Sequence, residues 1–281
     1  VSQRVGTAAA SGTAAAGYPP ERHLLRDLRL WTERGEEGPR TGLELVPGLL
    51  GPGDQPRAGV LATLADVAGG ELAVRSARPE WVATSGLVLH RLRPSRGTRL
   101  EARPELVRRT RTRIVLEVSI TDAAPGALAL ATMSFALLPA REGQRRMGVG
   151  ADETRTDFAL PGSGLDEPLA ERIGARCLDA ASGRLELTLV PYVGNSLGAL
   201  QGGAAALLVD LAAEAAGGAA LAAPCLPCDL ALDYLALAHE GPVRTQARVL
   251  RSDASGALVR VELRDGAGGL AALASVGAVR V

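Results

Sequence analysis

The sequence predicts an α+β fold made of two copies of one helix-and-sheet unit, and three observations carry that prediction. Two almost wholly apolar stretches of small residues, Gly59 to Val74 and Gly202 to Leu221, read as buried helices. After each come runs with strand chemistry, separated by turn clusters of the length that antiparallel hairpins use. The copies stand 144 residues apart in register, with Gly59 on Gly203, Leu64 on Leu208, Asp66 on Asp210 and Ala68 on Ala212. Two copies are too few for a solenoid. They suit a pseudo-symmetric pair fused into one chain, each half burying one long helix against one sheet.

Composition bounds the reading. A chain of 281 residues with 47% apolar content can bury a sizeable core. Its 31 basic and 31 acidic residues cancel, so overall charge favours neither nucleic acid nor an anionic membrane surface. Aromatics are only 2%, which argues against base stacking and leaves Leu, Val and Ala to build the core. Lysine is absent, a bias of composition towards Arg, Ala, Gly and Leu. Cys177, Cys225 and Cys228 are too few for a disulfide framework, so a reducing, cytoplasmic setting is expected. No run of 18 uninterrupted apolar residues suggests a membrane span.

In chain order, residues 1–19 read as a disordered leader, 20–139 as the first domain, 140–171 as a linker and 172–281 as the second domain. Residues 20–35 place Leu24, Leu25, Leu28 and Trp31 at helical spacing, with Gly35 as a stop and His23 facing water. A short strand is expected at 42–47, then the first apolar helix. Thr84 to Leu92, Thr98 to Arg109, Arg113 to Thr121 and Ala127 to Leu138 form the first meander. In the second half, Arg184 to Val190 precedes a loop and the second helix. Runs at Asp229 to Leu237, Val243 to Arg251, Ala257 to Arg264 and Leu270 to Val281 complete it.

Asp66 and Asp210 lie among Ala, Leu, Val and Gly. An unpaired carboxylate there costs several kcal/mol or takes up a proton, so such groups are paired, hydrogen-bonded or functional. A position at a helix edge touching water is the alternative, and its recurrence at one repeat position in both copies argues against it.

These residues also carry a resemblance. Asn195, then five residues, Gln201-Gly202-Gly203, then six residues and Asp210 resembles the Asn, His/Gln-Gly-Gly, Asp pattern of hotdog-fold acyl-CoA thioesterases of the phenylacetate-pathway type. Gly59 to Gly70 looks like the same helix in the first half, and Thr84 to Pro94 like the strand that follows it. The resemblance implies a tandem double hotdog, each half a long helix wrapped by an antiparallel sheet, the two sheets joined into one. It further implies hydrolysis of an acyl thioester of coenzyme A or of an acyl carrier, with no cofactor and no metal. A Gly N–H at a helix start would polarise the carbonyl, and an Asp from the opposing helix would act as nucleophile or general base.

Carried over residue by residue, the resemblance predicts two unequal sites. One combines Asn195, Gln201 and Gly202 from the second half with Asp66 and Thr84 from the first, with Gly203 beside the substrate. The other, with Asp210 as its carboxylate, would use Gly51, Arg57, Ala58 and the Pro227-Cys228 strand start, and it lacks the Asn, the His/Gln and the hydroxyl. One working site per chain follows.

Arg108, Arg109, Arg111 and Arg113 cluster at an expected hairpin tip, where Arg109 and Arg111 are candidates for coenzyme A phosphates if the turn is more than a solvated one. Arg91 and Arg93 are weaker candidates. A non-catalytic acyl-thioester binding protein is the leading alternative, and a homodimer of the fused pair is compatible with either reading.

Gly194-Asn-Ser-Leu-Gly198 also matches the G-x-S-x-G elbow of serine hydrolases, and the order Ser196, Asp233, His239 fits a triad. That fold needs a parallel sheet with alternating helices, which five strand-like runs per helix do not supply. Cys225-Leu-Pro-Cys228 lacks the second ligand pair that zinc needs. His90 and His239 read as strand-edge or surface histidines.

Overall fold

The computed structural model describes residues 18–35, 38–139 and 155–281. The chain enters as one helical turn, α1 (Leu24–Asp27), a hairpin of β1 (Trp31–Gly35) and β2 (Gly38–Glu44), and a small ladder of β3 (Leu50–Gly51) and β4 (Gln55–Pro56). Helix α2 (Ala58–Ala77) is followed by four long strands: β5 (Trp81–Arg91), β6 (Arg99–Arg109), β7 (Arg113–Thr121) and β8 (Ala129–Leu138). β9 (Arg155–Asp157) and α3 (Leu169–Arg172) lead to β10 (Arg176–Asp179) and β11 (Arg184–Leu187). Helix α4 (Gly202–Leu221) and the strands β12 (Cys225–Tyr234), β13 (Val243–Asp253), β14 (Gly256–Arg264) and β15 (Leu270–Arg280) complete the second half.

Thirteen strands form one antiparallel sheet in the order β10-β11-β13-β14-β15-β12-β5-β8-β7-β6-β2-β1-β9. The halves meet where β12 pairs with β5, Ala231 opposite Val88 and Asp229 opposite His90. Period-two patterning sets which face is inside. On β7, Ile114, Leu116, Val118 and Ile120 are fully buried while Glu117 points out. Each such aliphatic side chain contributes about 1.5–3 kcal/mol on leaving water. α2 packs on β5, β6 and β7, α4 packs on β12, β13 and β14, and the two helices pack on each other. By length and composition α4 could cross a membrane, with a mean hydropathy of 1.5, but most of it is buried within the fold.

Several expectations need correction. The helix expected over 20–35 is only the single turn of α1, and Trp31 begins a strand. Arg29, at φ 51, reverses the chain after Leu28, so Leu30 reaches the core from an extended backbone rather than a helical face, and Trp31 is buried beneath the Arg40, Arg99 and Arg155 guanidinium groups. His23 is fully buried rather than facing water. The strand expected at 42–47 runs from Gly38 to Glu44 and pairs with β6. Of the stretch read as a linker, Arg155–Asp157 adds an edge strand to β1 and Leu169–Arg172 forms a helical turn, while 140–154 lie outside the described residues. Most of the expected leader, 1–17, lies outside them too. The edge strand β10, which pairs with β11, was not expected.

Candidate active site

α2 and α4 cross antiparallel, each placing its first turn against the middle of the other. Two glycines that stand 144 residues apart permit the contact. A Cβ on Gly59 would lie 2.6 Å from Leu207 Cα, and one on Gly203 would lie 2.8 Å from Thr63 Cβ. As a result, Asp66 of α2 faces the first residue of α4, and Asp210 of α4 faces the start of α2.

The two carboxylates then diverge. Asp66 is partly accessible and accepts hydrogen bonds from Thr84 Oγ1 at 2.9 Å and Gln201 Nε2 at 3.3 Å. The other end of the Gln201 amide fixes its orientation, because Oε1 accepts from Ala204 N–H at 2.8 Å and caps α4. Gly202, at the first helical position, has an N–H with no acceptor inside its helix. A Cβ on Gly202 would stand 2.9 Å from Asp66 Oδ2, so a side chain there would press on the carboxylate. Burial pushes the Asp66 pKa up to about 6, with the Thr84 hydroxyl pulling the other way.

Asp210 is 1% exposed; neither carboxylate oxygen has a partner at full hydrogen-bond geometry among the described residues, and the Gly59 N–H faces it closely enough to pull its pKa down. Arg57, at the position that Gln201 holds in the other half, approaches Asp210 Oδ2 at 3.9 Å and forms a short ion pair with Glu214. Burial pushes Asp210 up to about 7, while Arg57 opposes the shift. Arg91 donates to the Pro56 carbonyl nearby.

The structure thus brings Asp66, Thr84, Gln201 and Gly202 together, with Gly203 at the crossing. The Asn195 side chain is turned into its own loop, where Oδ1 accepts from Leu197 N at 2.9 Å and Ala199 N at 3.0 Å. Arg109 is engaged by Glu80 at 3.2 Å, and Arg111 is exposed on the β6–β7 turn. Among the described residues, no hydrogen bond or ion pair joins either to the Asp66 cluster. Ser196 is exposed, and among the described residues no hydrogen bond joins it to Asp233 or His239. With an antiparallel sheet throughout, the elbow has no serine-hydrolase architecture around it.

Sequence reasoning missed three side chains. Tyr234 donates to the Gly202 carbonyl at 2.9 Å and steadies the first turn of α4, and the Asp66 charge adds to the burial that raises its pKa. His23 accepts from Leu25 N–H on Nδ1 at 3.1 Å, which leaves Nε2–H to donate to the Gly194 carbonyl at 2.8 Å. Tyr18 donates to that same carbonyl at 3.3 Å. Only Tyr234, a hydroxyl-bearing ring in an otherwise aliphatic strand, left a trace in the sequence.

Comparison with known proteins agrees with this architecture. The family model of the Thioesterase superfamily matches residues 58–129, about a quarter of the chain and the part that contains α2 and Thr84. No curated protein sequence matches the chain. Among solved structures, a protein of unknown function with a hot dog fold from Alicyclobacillus acidocaldarius is similar at TM-score 0.58 and 13% identity, covering 92% of this chain and 98% of that one. A 12:0-ACP thioesterase from Umbellularia californica is similar at TM-score 0.57 and 11% identity, covering 86% and 97%. The tesB protein of Mycobacterium avium subspecies paratuberculosis gives 0.57 and 14%, covering 89% and 96%. At these identities the likeness is one of fold, and the fold is the hotdog.

Proposed function

We propose that the protein hydrolyses an acyl thioester at one site shared between its halves. The observation that carries the reading is Asp66 of α2 set against Gly202 at the N-terminus of α4, held there by Thr84 and Gln201. A thioester carbonyl oxygen seated at the Gly202 N–H would gain negative charge where backbone donors and the helix dipole favour it. Asp66 either attacks the carbonyl carbon or takes a proton from a water that attacks it. In both cases the C–S bond breaks, the sulfur leaves as a thiol, and water supplies the oxygen of the free acid. Thr84 and Gln201 orient the carboxylate, while Asn195 acts through the loop it holds. The match to the Thioesterase superfamily over α2 and the thioesterase names among the structural neighbours support this reading. Coenzyme A and a carrier protein both remain suitable thiol components.

Asp66→Asn should abolish release of free thiol from acyl-CoA substrates, and Asp210→Asn should leave it nearly intact. Assayed side by side on one acyl-CoA panel, a dead Asp210 variant with a live Asp66 variant would reverse the site. No thiol release by the wild-type chain from either CoA or carrier-linked substrates would leave an acyl-thioester binding protein.

A further inference from the structure

The repeat makes a comparison within one chain possible. Shifting by 144 residues puts Gly70 on Glu214, Val82 on Leu226 and Thr84 on Cys228. In the second half the space one turn beyond the carboxylate is taken by Glu214, which extends into it to hold the Arg57 guanidinium; Leu226 is 6% exposed, its cross-strand partner Val279 45%. In the first half the same space is open. A Cβ built on Gly70 meets no atom within 4 Å, and Val82 and its cross-strand partner Leu137 stay half-buried.

This opening continues the site of Asp66. Gly70 lies four residues on from Asp66, on the same helix face and about 6 Å further along the axis. β5 returns along α2, so Val82, two residues before Thr84 on the same strand face, lies about 6.6 Å further in that same direction. The cleft therefore runs from Asp66 and Thr84 towards Gly70, Val82 and Leu137. The side chains named along it, Val82 and Leu137, are apolar, and Glu71, the next residue on α2, is taken up by Arg34 at 2.9 Å and Arg75 at 3.6 Å.

Resting on the thioesterase reading above, we propose that this cleft holds the acyl chain, and that the missing side chain at Gly70 sets how much acyl bulk is accepted next to the carbonyl. The fitting acyl group is uncharged and apolar, since an anionic one would lie beside the Asp66 carboxylate. The Glu214–Arg57 pair closes the corresponding cleft in the second half, which gives that half a second reason, besides its missing donors, to be silent.

Gly70→Leu tests the idea. Leu is a better helix former than Gly and meets open space, so thermal unfolding should occur at an equal or higher temperature. Two readouts are needed across a series of saturated acyl-CoAs of increasing length: kcat/KM for the thioesters and affinity for their non-hydrolysable thioether analogues. The variant should lose roughly tenfold or more in both for long chains, a penalty of about 1.4 kcal/mol, with short chains little changed and Gly70→Ala intermediate. If the ratio of long-chain to short-chain values is the same in wild type and Gly70→Leu, the cleft is not the acyl site. Wild-type affinity that does not vary with chain length also overturns it. Chain-length-dependent binding without turnover would overturn the hydrolase reading alone and leave the cleft assignment standing.

Discussion

At the scale of single residues, the two helix carboxylates differ in what touches them. Thr84 donates to Asp66, a hydroxyl bond worth about 1 kcal/mol or more to a charged acceptor, and it favours the ionised form that the proposed chemistry needs. A carboxylate near pKa 6 is mostly ionised at neutral pH and still basic enough to accept a proton. Activity should therefore fall as the pH drops through about 6, well above the range of an ordinary Asp. Thr84→Val keeps the side-chain shape but removes the donor, so burial acts unopposed and the acid limb of kcat/KM should move to higher pH. Identical acid limbs in the two pH-rate profiles would show that Asp66 is not the titrating group. The partnership of Asp66 with Thr84 could be expected from the sequence only through family resemblance. Spacing along the chain says nothing about which side chain 18 residues away a helix carboxylate will meet.

At the scale of elements, the parts legible in the sequence were those where one periodicity ran long enough to leave no alternative. α2 and α4 are twenty residues each of small apolar chain, and β7 and β14 alternate cleanly between buried and exposed. The stretch from Leu24 to Trp31 misled because four apolar residues at helical spacing also fit a turn followed by a strand, and the reversal at Arg29 is written in a backbone angle rather than a residue type. His23 and Tyr18 were illegible for a related reason, since their shared acceptor, the Gly194 carbonyl, lies more than 170 residues away. Gln201 joins an element to the site, because one amide caps α4 and reaches Asp66. Gln201→Ala should lower stability to urea by about 1 kcal/mol, the usual value of a lost N-cap, and lower kcat as well. A variant with full activity and reduced stability would make Gln201 a cap and nothing more.

At the scale of the whole molecule, the two halves carry similar helix crossings with opposite fates. One keeps an accessible carboxylate with hydrogen-bond donors, and the other seals its carboxylate beside Arg57 and Glu214. The sealed Asp210 has a consequence for stability. Its folded-state pKa, pushed up to about 7, lies above its unfolded value, so the folded protein binds this proton more tightly. The stability tied to that proton is fully present below the unfolded value of about 3.9 and is lost as the pH rises through about 7. Asp210→Asn keeps the shape without the charge, and Arg57 retains Glu214. The variant should therefore be more stable than wild type at pH 8, on the order of 2 kcal/mol, with the difference shrinking or reversing near pH 4.5. Urea unfolding of both proteins across that range reads the difference directly. If the Asn variant is the less stable one at pH 8, Arg57 more than offsets the burial of Asp210, and the second crossing is held together by its charges.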